Sequence, residues 1–336
     1  MFGTLARCLA AAVWIGMAAG GAHGQDRLRL LMVTHGAEAD PFWAAVKQGA
    51  DRAAADADVD LVYRAPAEFD LEAMTALVTE AVAEKPSGLI VSIPNADALA
   101  APIRAALDAG IPVVSINSGF DVSASLGALF HVGQSEYESG RVAGETMRDL
   151  GGQKALCINH ELGNVALDLR CKGFIDGFGG SVEVLAVEPD PGQVRTQMEE
   201  KLAADAELDV ILALSASISG EPTVAAVEAL GSGRVVRVGS FDTTEAILAA
   251  VADRKADFAI DQQPFLQGYL PVQYLALLHR HGVAPVSNVS TGPKLVTAEE
   301  AARRLGRQPA MEVAPLRPAL DDAAADPVPV VEPEDG

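Results

Sequence analysis

Val33-Thr34-His35-Gly36 closes a run of apolar residues that starts at Leu30, and Ile158-Asn159-His160-Glu161 closes another that starts at Ala155. Each is a short, continuous Leu/Ile/Val-rich stretch that stops abruptly at polar residues. That is the signature of a strand covered on both faces of a parallel sheet. About 13 residues beyond each stop lies a glycine inside a segment of helical period, Gly49 and Gly173. Further strands are read at Asp60 to Tyr63, Leu89 to Ile93 and Val113 to Ile116. Their counterparts are Val182 to Val187, Val210 to Leu214 and Val235 to Val238. Successive strands are about 24 to 30 residues apart in both series. The reading is a (βα) unit repeated four times, with the whole block then repeated once. The fold class is therefore α/β: two doubly wound parallel-sheet lobes joined by crossover hinge strands. Open parallel sheets bind ligands outside the carboxyl ends of their strands. Two such edges facing each other predict a cleft between the lobes and hinge closure around a ligand.

Beyond the second block the pattern continues. Phe258 to Asp261 reads as a strand, Pro264 to Arg280 as an amphipathic helix and Lys294 to Val296 as a last short strand. From Pro309 the chain turns to Ala, Pro and acid, and residues 312 to 336 hold seven acids against one Arg. Such a segment lacks the apolar surface to fold and is expected to be disordered. The expected divisions are a signal peptide at 1–24, an N-terminal lobe of 25–132 with 262–285, a C-terminal lobe of 133–261 with 286–305, and an acidic tail at 309–336.

The 336 residues suit two domains at roughly 150 residues each, and 49% are hydrophobic, enough for two cores. The net charge of −21 argues against nucleic acid or anionic lipid as partners, since both require clustered Lys and Arg. Arg7, the apolar run Leu9 to Ala19 and the small residues of Ala22-His23-Gly24 read as a secretory signal with Gln25 as mature start. The apolar run is too short for a comfortable membrane span. Cys8 precedes it and is badly placed for a lipid anchor. The mature chain is thus expected outside the cytoplasm, in the periplasm. Cleavage leaves Cys157 and Cys171. In an oxidising compartment the pair reads as one disulfide, the other reading being two free buried thiols.

Six strand-end motifs, in order, resemble the periplasmic sugar-binding proteins of the ribose-binding type, with the type I fold that the lactose-repressor core shares. The resemblance spans residues 27 to 305. Asp40-Pro41-Phe42-Trp43 resembles a polar-Pro-aromatic-aromatic segment that meets the sugar with a polar group and rings. The plainer reading is a helix start, with Asp40 as cap and the rings in the core. Asn117-Ser118 stands where the family often has Asp-Arg, and also reads as a plain turn. Arg170-Cys171-Lys172-Gly173-Phe174 resembles the family's Arg-x-x-Gly-Phe, whose Arg points into the cleft and can chelate two neighbouring hydroxyls or a carboxylate. A surface ion pair is the alternative. Ser215-Ala216-Ser217 replaces the family's Asn-Asp. Gly239-Ser240-Phe241-Asp242 resembles Gly-Phe-Asp, with Asp242 accepting from hydroxyls, or else capping the helix that follows Thr244. Gln262, in Asp261-Gln262-Gln263-Pro264, matches a Gln of the returning crossover, and Gln134 in the first crossover is a weaker candidate of the same kind. The resemblance implies a monomer that carries a sugar or polyol to the permease of an ABC transporter, with no cofactor and no catalytic or metal-binding residues. The missing Asp-Arg and Asn-Asp pairs imply a ligand other than the commonest sugars: a polyol, a deoxy or modified sugar, or, in a repurposed pocket, a less polar metabolite.

Rival classes lack their residues. No Gly-x-Gly-x-x-Gly follows a strand, and no Gly-x-Ser-x-Gly occurs. His279 and His281 point to different faces of a helix, and no carboxylate cluster lies near them in sequence. His35 and His160 end equivalent strands and are candidates to line the cleft, without a nucleophile beside them. A sensor that presents the same ligand to a receptor kinase fits the sequence as well as a carrier does.

Overall fold

The computed structural model describes residues 27–36, 40–231 and 233–307. The expected signal peptide and acidic tail lie outside the described residues. The first block runs β1 (Arg29–Val33), α1 (Pro41–Asp56), β2 (Asp60–Arg64), α2 (Leu71–Ala83), β3 (Gly88–Ser92), α3 (Ala96–Asp108), β4 (Val113–Asn117) and β5 (His131–Gly133). The second runs α4 (Glu136–Asp149), β6 (Lys154–Asn159), α5 (Val165–Phe178), β7 (Ser181–Ala186), α6 (Pro191–Ala204), β8 (Val210–Ala213), a π-helical turn (Ala216–Gly220), α7 (Glu221–Leu230), β9 (Arg237–Phe241), α8 (Glu245–Ala252) and β10 (Phe258–Asp261). The chain continues with α9 (Pro264–His281), β11 (Val289–Ser290), β12 (Lys294–Val296) and α10 (Ala298–Arg304).

These elements form two units. The first takes residues 27–36, 43–132 and 265–289, and the second takes 40–42, 133–264 and 290–307. Each unit holds one six-stranded sheet, ordered β11-β5-β4-β3-β1-β2 in the first and β12-β10-β9-β8-β6-β7 in the second. The pairings of β1 with β2 and β3, and of β6 with β7 and β8, are all parallel. In both sheets the winding reverses at the first strand of the block, between β1 and β3 and between β6 and β8. Doubly wound folds place their ligand sites at such a switch point.

Local sequence explains most elements. β3 and β4 are buried at every residue, as their unbroken apolar runs require. Asp70, Asn95, Ser135, Asn164, Asp190, Thr244 and Thr297 each cap a helix by accepting from a backbone N–H. Pro41, Pro191 and Pro264 open α1, α6 and α9, where a missing N–H costs nothing. β7 is half exposed because it is a sheet edge.

Two differences from the sequence reading have physical causes. The strand expected at Val235 to Val238 runs instead from Arg237 to Phe241. Pairing with β8 begins with Arg237 opposite Val210, and Val235 is left outside at 70% exposed. β5 and β11 are three and two residues long, too short for any periodic signal to reveal.

The glycines noticed in the sequence mark helix crossings. A Cβ on Gly173 would collide with the Tyr137 carbonyl oxygen of α4, and one on Gly140 with the Arg170 carbonyl oxygen of α5. Gly49 of α1 and Gly268 of α9 meet the Phe265 and Val46 carbonyl oxygens in the same reciprocal way. Each unit therefore packs a helix that follows a crossover, α9 or α4, backbone to backbone against the helix after its first strand, α1 or α5. In the second unit this contact holds Arg170 against the start of α4.

Candidate functional site

Polar side chains gather at the carboxyl edge of each sheet. In the second unit the centre is Arg170. It sits in the second turn of α5, which Asn164 caps, and is 4% exposed. Its Nε donates to Glu136 Oε2 at 2.5 Å, its Nη1 to the Leu214 carbonyl at 3.2 Å and its Nη2 to Gln262 Oε1 at 3.0 Å. The guanidinium lies 4.4 Å above the Phe241 ring. Burial alone would lower its pKa, but the charge and hydrogen bond of Glu136, with the nearby Asp242 and Glu161 carboxyls, together outweigh this, and the pKa is raised. Arg170 is therefore firmly charged.

Gln262 joins the rest of the cluster. Its Nε2 donates to Asp242 Oδ1 at 2.6 Å, and its Oε1 also accepts from Gln134 Nε2 at 3.3 Å. Gln134 Nε2 in turn donates to Glu136 Oε2 at 3.1 Å. Gln134 and Gln262 belong to separate crossovers, and next to Gln134 the Gly133 carbonyl accepts from Thr291 N at 2.7 Å. Thus Gln134, Arg170, Asp242 and Gln262, picked out separately along the sequence, form one hydrogen-bonded cluster. Glu136 is the member the sequence reading missed. As an acid in the first turn of a helix it reads as a dipole partner, and only the fold brings Arg170 to it. Gln134 Oε1, Glu136 Oε1 and His160 Nδ1 are buried with no hydrogen-bond partner among the described residues.

Asp242 follows β9 in a left-handed conformation, φ 70°. The cap of α8 is Thr244, so Asp242 is not needed as one. Burial pushes its carboxyl up to about 7, against the opposing pull of Arg170 and Gln262. Below the ordinary carboxylate range, near 3.8, folded and unfolded chains both hold this proton. As the pH rises the unfolded chain releases it first, so the folded form loses stability until about pH 7, where the full loss is reached. Asp242→Asn is expected to remove that dependence. Urea unfolding of both proteins across this range should show the variant gaining on the wild type up to about pH 7, with a constant difference above it. Parallel curves would refute the buried environment assigned to Asp242.

The other groups at this edge are uncharged or raised. His160, at the end of β6, is lowered to about 3 by burial and by the charge of Arg170, and is neutral. Glu161 is raised by burial. Ser215 caps the π-helical turn after β8, and π geometry recurs at functional sites. Its Oγ lies 3.4 Å from Ser217 Oγ, which donates to Asp40 Oδ2 at 3.2 Å. Asp40 Oδ1 accepts from Phe42 N at 2.8 Å, the bond expected of a helix start.

In the first unit the switch point is marked by His35 and Ser92. His35 N donates to Ser92 Oγ at 3.0 Å, and its Nδ1 lies 2.8 Å from the same oxygen. Trp43 is placed in the core, 5% exposed and edge-on to His35 at 4.8 Å, while Phe42 remains half-buried. Asn117, at φ 56°, ends β4 and donates through Nδ2 to Gln267 Oε1 at 3.3 Å. Gln267 lies 150 positions away on α9, and nothing in its surroundings in the sequence marks it.

Cys157 and Cys171 form a disulfide, S–S 2.01 Å, between β6 and α5. It fastens the helix to the strand one residue beyond Arg170. Among the described residues no helix is long and apolar enough to cross a membrane.

Known proteins resemble this chain in sequence and fold. Residues 31–281 match the family described as periplasmic binding protein domain. A carbohydrate transporter structure from Acidothermus cellulolyticus, in complex with myo-inositol, is 33% identical with a TM-score of 0.78, over 84% of this chain and 98% of its own. The xylose/arabinose-binding protein XylF of Sulfolobus acidocaldarius is 26% identical over 287 residues, 80% of this chain and 71% of its own length. The ribose import binding protein RbsB of Bacillus subtilis is 25% identical over 241 residues, 70% of this chain and 76% of its own.

Proposed function

We propose that this chain, which belongs to the periplasmic binding protein family, captures a sugar or polyol with groups at the carboxyl edges of its sheets and delivers it to an ABC transporter. The observation that carries the reading is the Arg170–Gln262–Asp242 chain at the switch-point edge of the second sheet. It offers fixed guanidinium donors beside a carboxyl acceptor, and a ligand dense in hydroxyls uses both at once. Each hydroxyl donates once and accepts twice, so vicinal hydroxyls match a cluster in which donors and acceptors alternate.

Direct contacts are assigned to Asp40, Phe42, Asn117, Arg170, Ser215 and Asp242. Gln134 and Gln262 hold Arg170 and Asp242 in place, and Trp43 backs the strand end at His35. Relatives that bind pentoses, and a structure that holds myo-inositol, support a ligand of this size. The uncharged Asn117-Ser118 and Ser215 favour a ligand that needs fewer charged partners, and cyclitols head the candidates. The chain is assigned to the periplasm, as a monomer.

The test is a thermal-shift screen of the mature protein against myo-inositol, other cyclitols, pentoses and hexoses. A ligand that binds only the folded state, at about 100 times its Kd, adds about 2.7 kcal/mol. A clear rise with one of these compounds is the expected result. No rise with any of them, and a rise with an apolar metabolite, would overturn the reading.

A further inference from the structure

A buried arginine at a ligand-binding edge is, by its chemistry, a clamp for anions. The planar guanidinium matches a carboxylate or phosphate with parallel N–H groups. Here that capacity is already used. Glu136 Oε2 takes the Nε–H of Arg170, and the two side chains are 2% and 5% exposed. Nη1 and Nη2 each have a neutral protein acceptor, Leu214 O and Gln262 Oε1. The underside of the guanidinium rests on Phe241. Asp242 brings a second carboxyl, one amide away through Gln262. An anionic ligand group arriving at Arg170 would meet the Glu136 carboxylate already bonded to it.

We propose that Glu136 is the internal counter-ion that sets the charge selectivity of the site: by occupying Arg170 it admits uncharged hydroxylated ligands and turns away sugar acids and sugar phosphates. Two consequences separate this from a merely structural ion pair. The charge of Arg170 stays in place to polarise its remaining N–H groups toward hydroxyl oxygens. And removing the Glu136 charge alone leaves a buried cation without a counter-ion, which a ligand carboxylate can then supply. The unpartnered Glu136 Oε1 shows that this carboxylate is not held by a saturated network of its own. The proposal rests on the reading of Arg170 as a ligand-facing group.

The experiment compares wild type and Glu136→Gln, full mature chain, in sodium D-glucuronate against sodium chloride of equal ionic strength. Thermal shift and calorimetry are the readouts. Glucuronate is expected to leave the wild type unmoved, and to raise the melting temperature of Glu136→Gln, binding it at least about tenfold more tightly than the wild type, a difference of about 1.4 kcal/mol. Adding Arg170→Met to Glu136→Gln should abolish the gain. Equal response of wild type and Glu136→Gln overturns the proposal. So does a wild type that glucuronate stabilises, a result that needs no variant. The neutral panel is scored separately. A blank neutral panel with glucuronate binding to Glu136→Gln would refute the sugar reading and leave the counter-ion role standing. The reverse pattern would do the opposite.

Discussion

Arg170→Ala is expected to destabilise the second unit by about 3–5 kcal/mol and to weaken ligand binding at least about tenfold. The stability loss follows from what the substitution leaves behind. Glu136 is 2% exposed, so its carboxylate would lose its counter-ion without gaining water. The Leu214 carbonyl and Gln262 Oε1 lose a donor in the same step. An exposed ion pair on this protein, such as Arg195 with Glu199, is worth a small fraction of that because water screens it. Urea unfolding checks the first figure. The double substitution Glu136→Leu with Arg170→Met removes both charges together and is expected to recover most of the loss, since apolar pairs of similar volume replace buried ion pairs at little cost. If Arg170→Ala unfolds at the wild-type midpoint, the pair is not the buried, mutually dependent unit described above. If the double variant is stable but still fails to bind, Arg170 is a ligand contact as well as a structural one.

Removal of both cysteines, Cys157→Ala with Cys171→Ala, is expected to cost about 3 kcal/mol on the chain-entropy account of a loop of this length. The bond spans 14 positions, and its two residues are 0% and 3% exposed. Both lie in the apolar cluster that includes Phe174, Phe178 and Phe241. Without the bond the unfolded chain gains freedom while the native contacts lose little, so the effect should appear mainly as a lower urea midpoint. Reductant should shift the wild type toward the variant and leave the variant where it is. A wild type indifferent to reductant even when unfolded would mean that the bond does not form in the protein as made.

Several features are legible in the sequence. The two-block α/β plan, the parallel sheets, the pairing of Gly49 with Gly173 and the cysteine pair all follow from short apolar runs, spacing and compartment. Arg170, Asp242, Gln262 and Gln134 stand out as candidates in the sequence because strand ends and crossovers can be located from the strands themselves, and the structure brings the four into one hydrogen-bonded cluster. Trp43 shows the limit of that approach. Its motif allowed a ligand contact or a core position, and packing against Gly36 and His35 put the ring in the core. Gln262 reads as a ligand contact in the sequence, and the structure adds that its amide bonds to Arg170, Asp242 and Gln134.

The sequence by itself determined the architecture of this protein, because apolar continuity, helix caps and repeat spacing act over a few residues and leave a local trace. Only the tertiary structure decided the electrostatics of the site. Glu136 and Arg170 are 34 positions apart, Arg170 and Gln262 are 92 apart, and Gln134 and Gln262 are 128 apart. Whether a charge is compensated, and whether a carboxyl such as that of Asp242 keeps its proton near neutrality, depends on which distant groups folding brings within 3 Å and on how much water it removes. No local pattern carries that information.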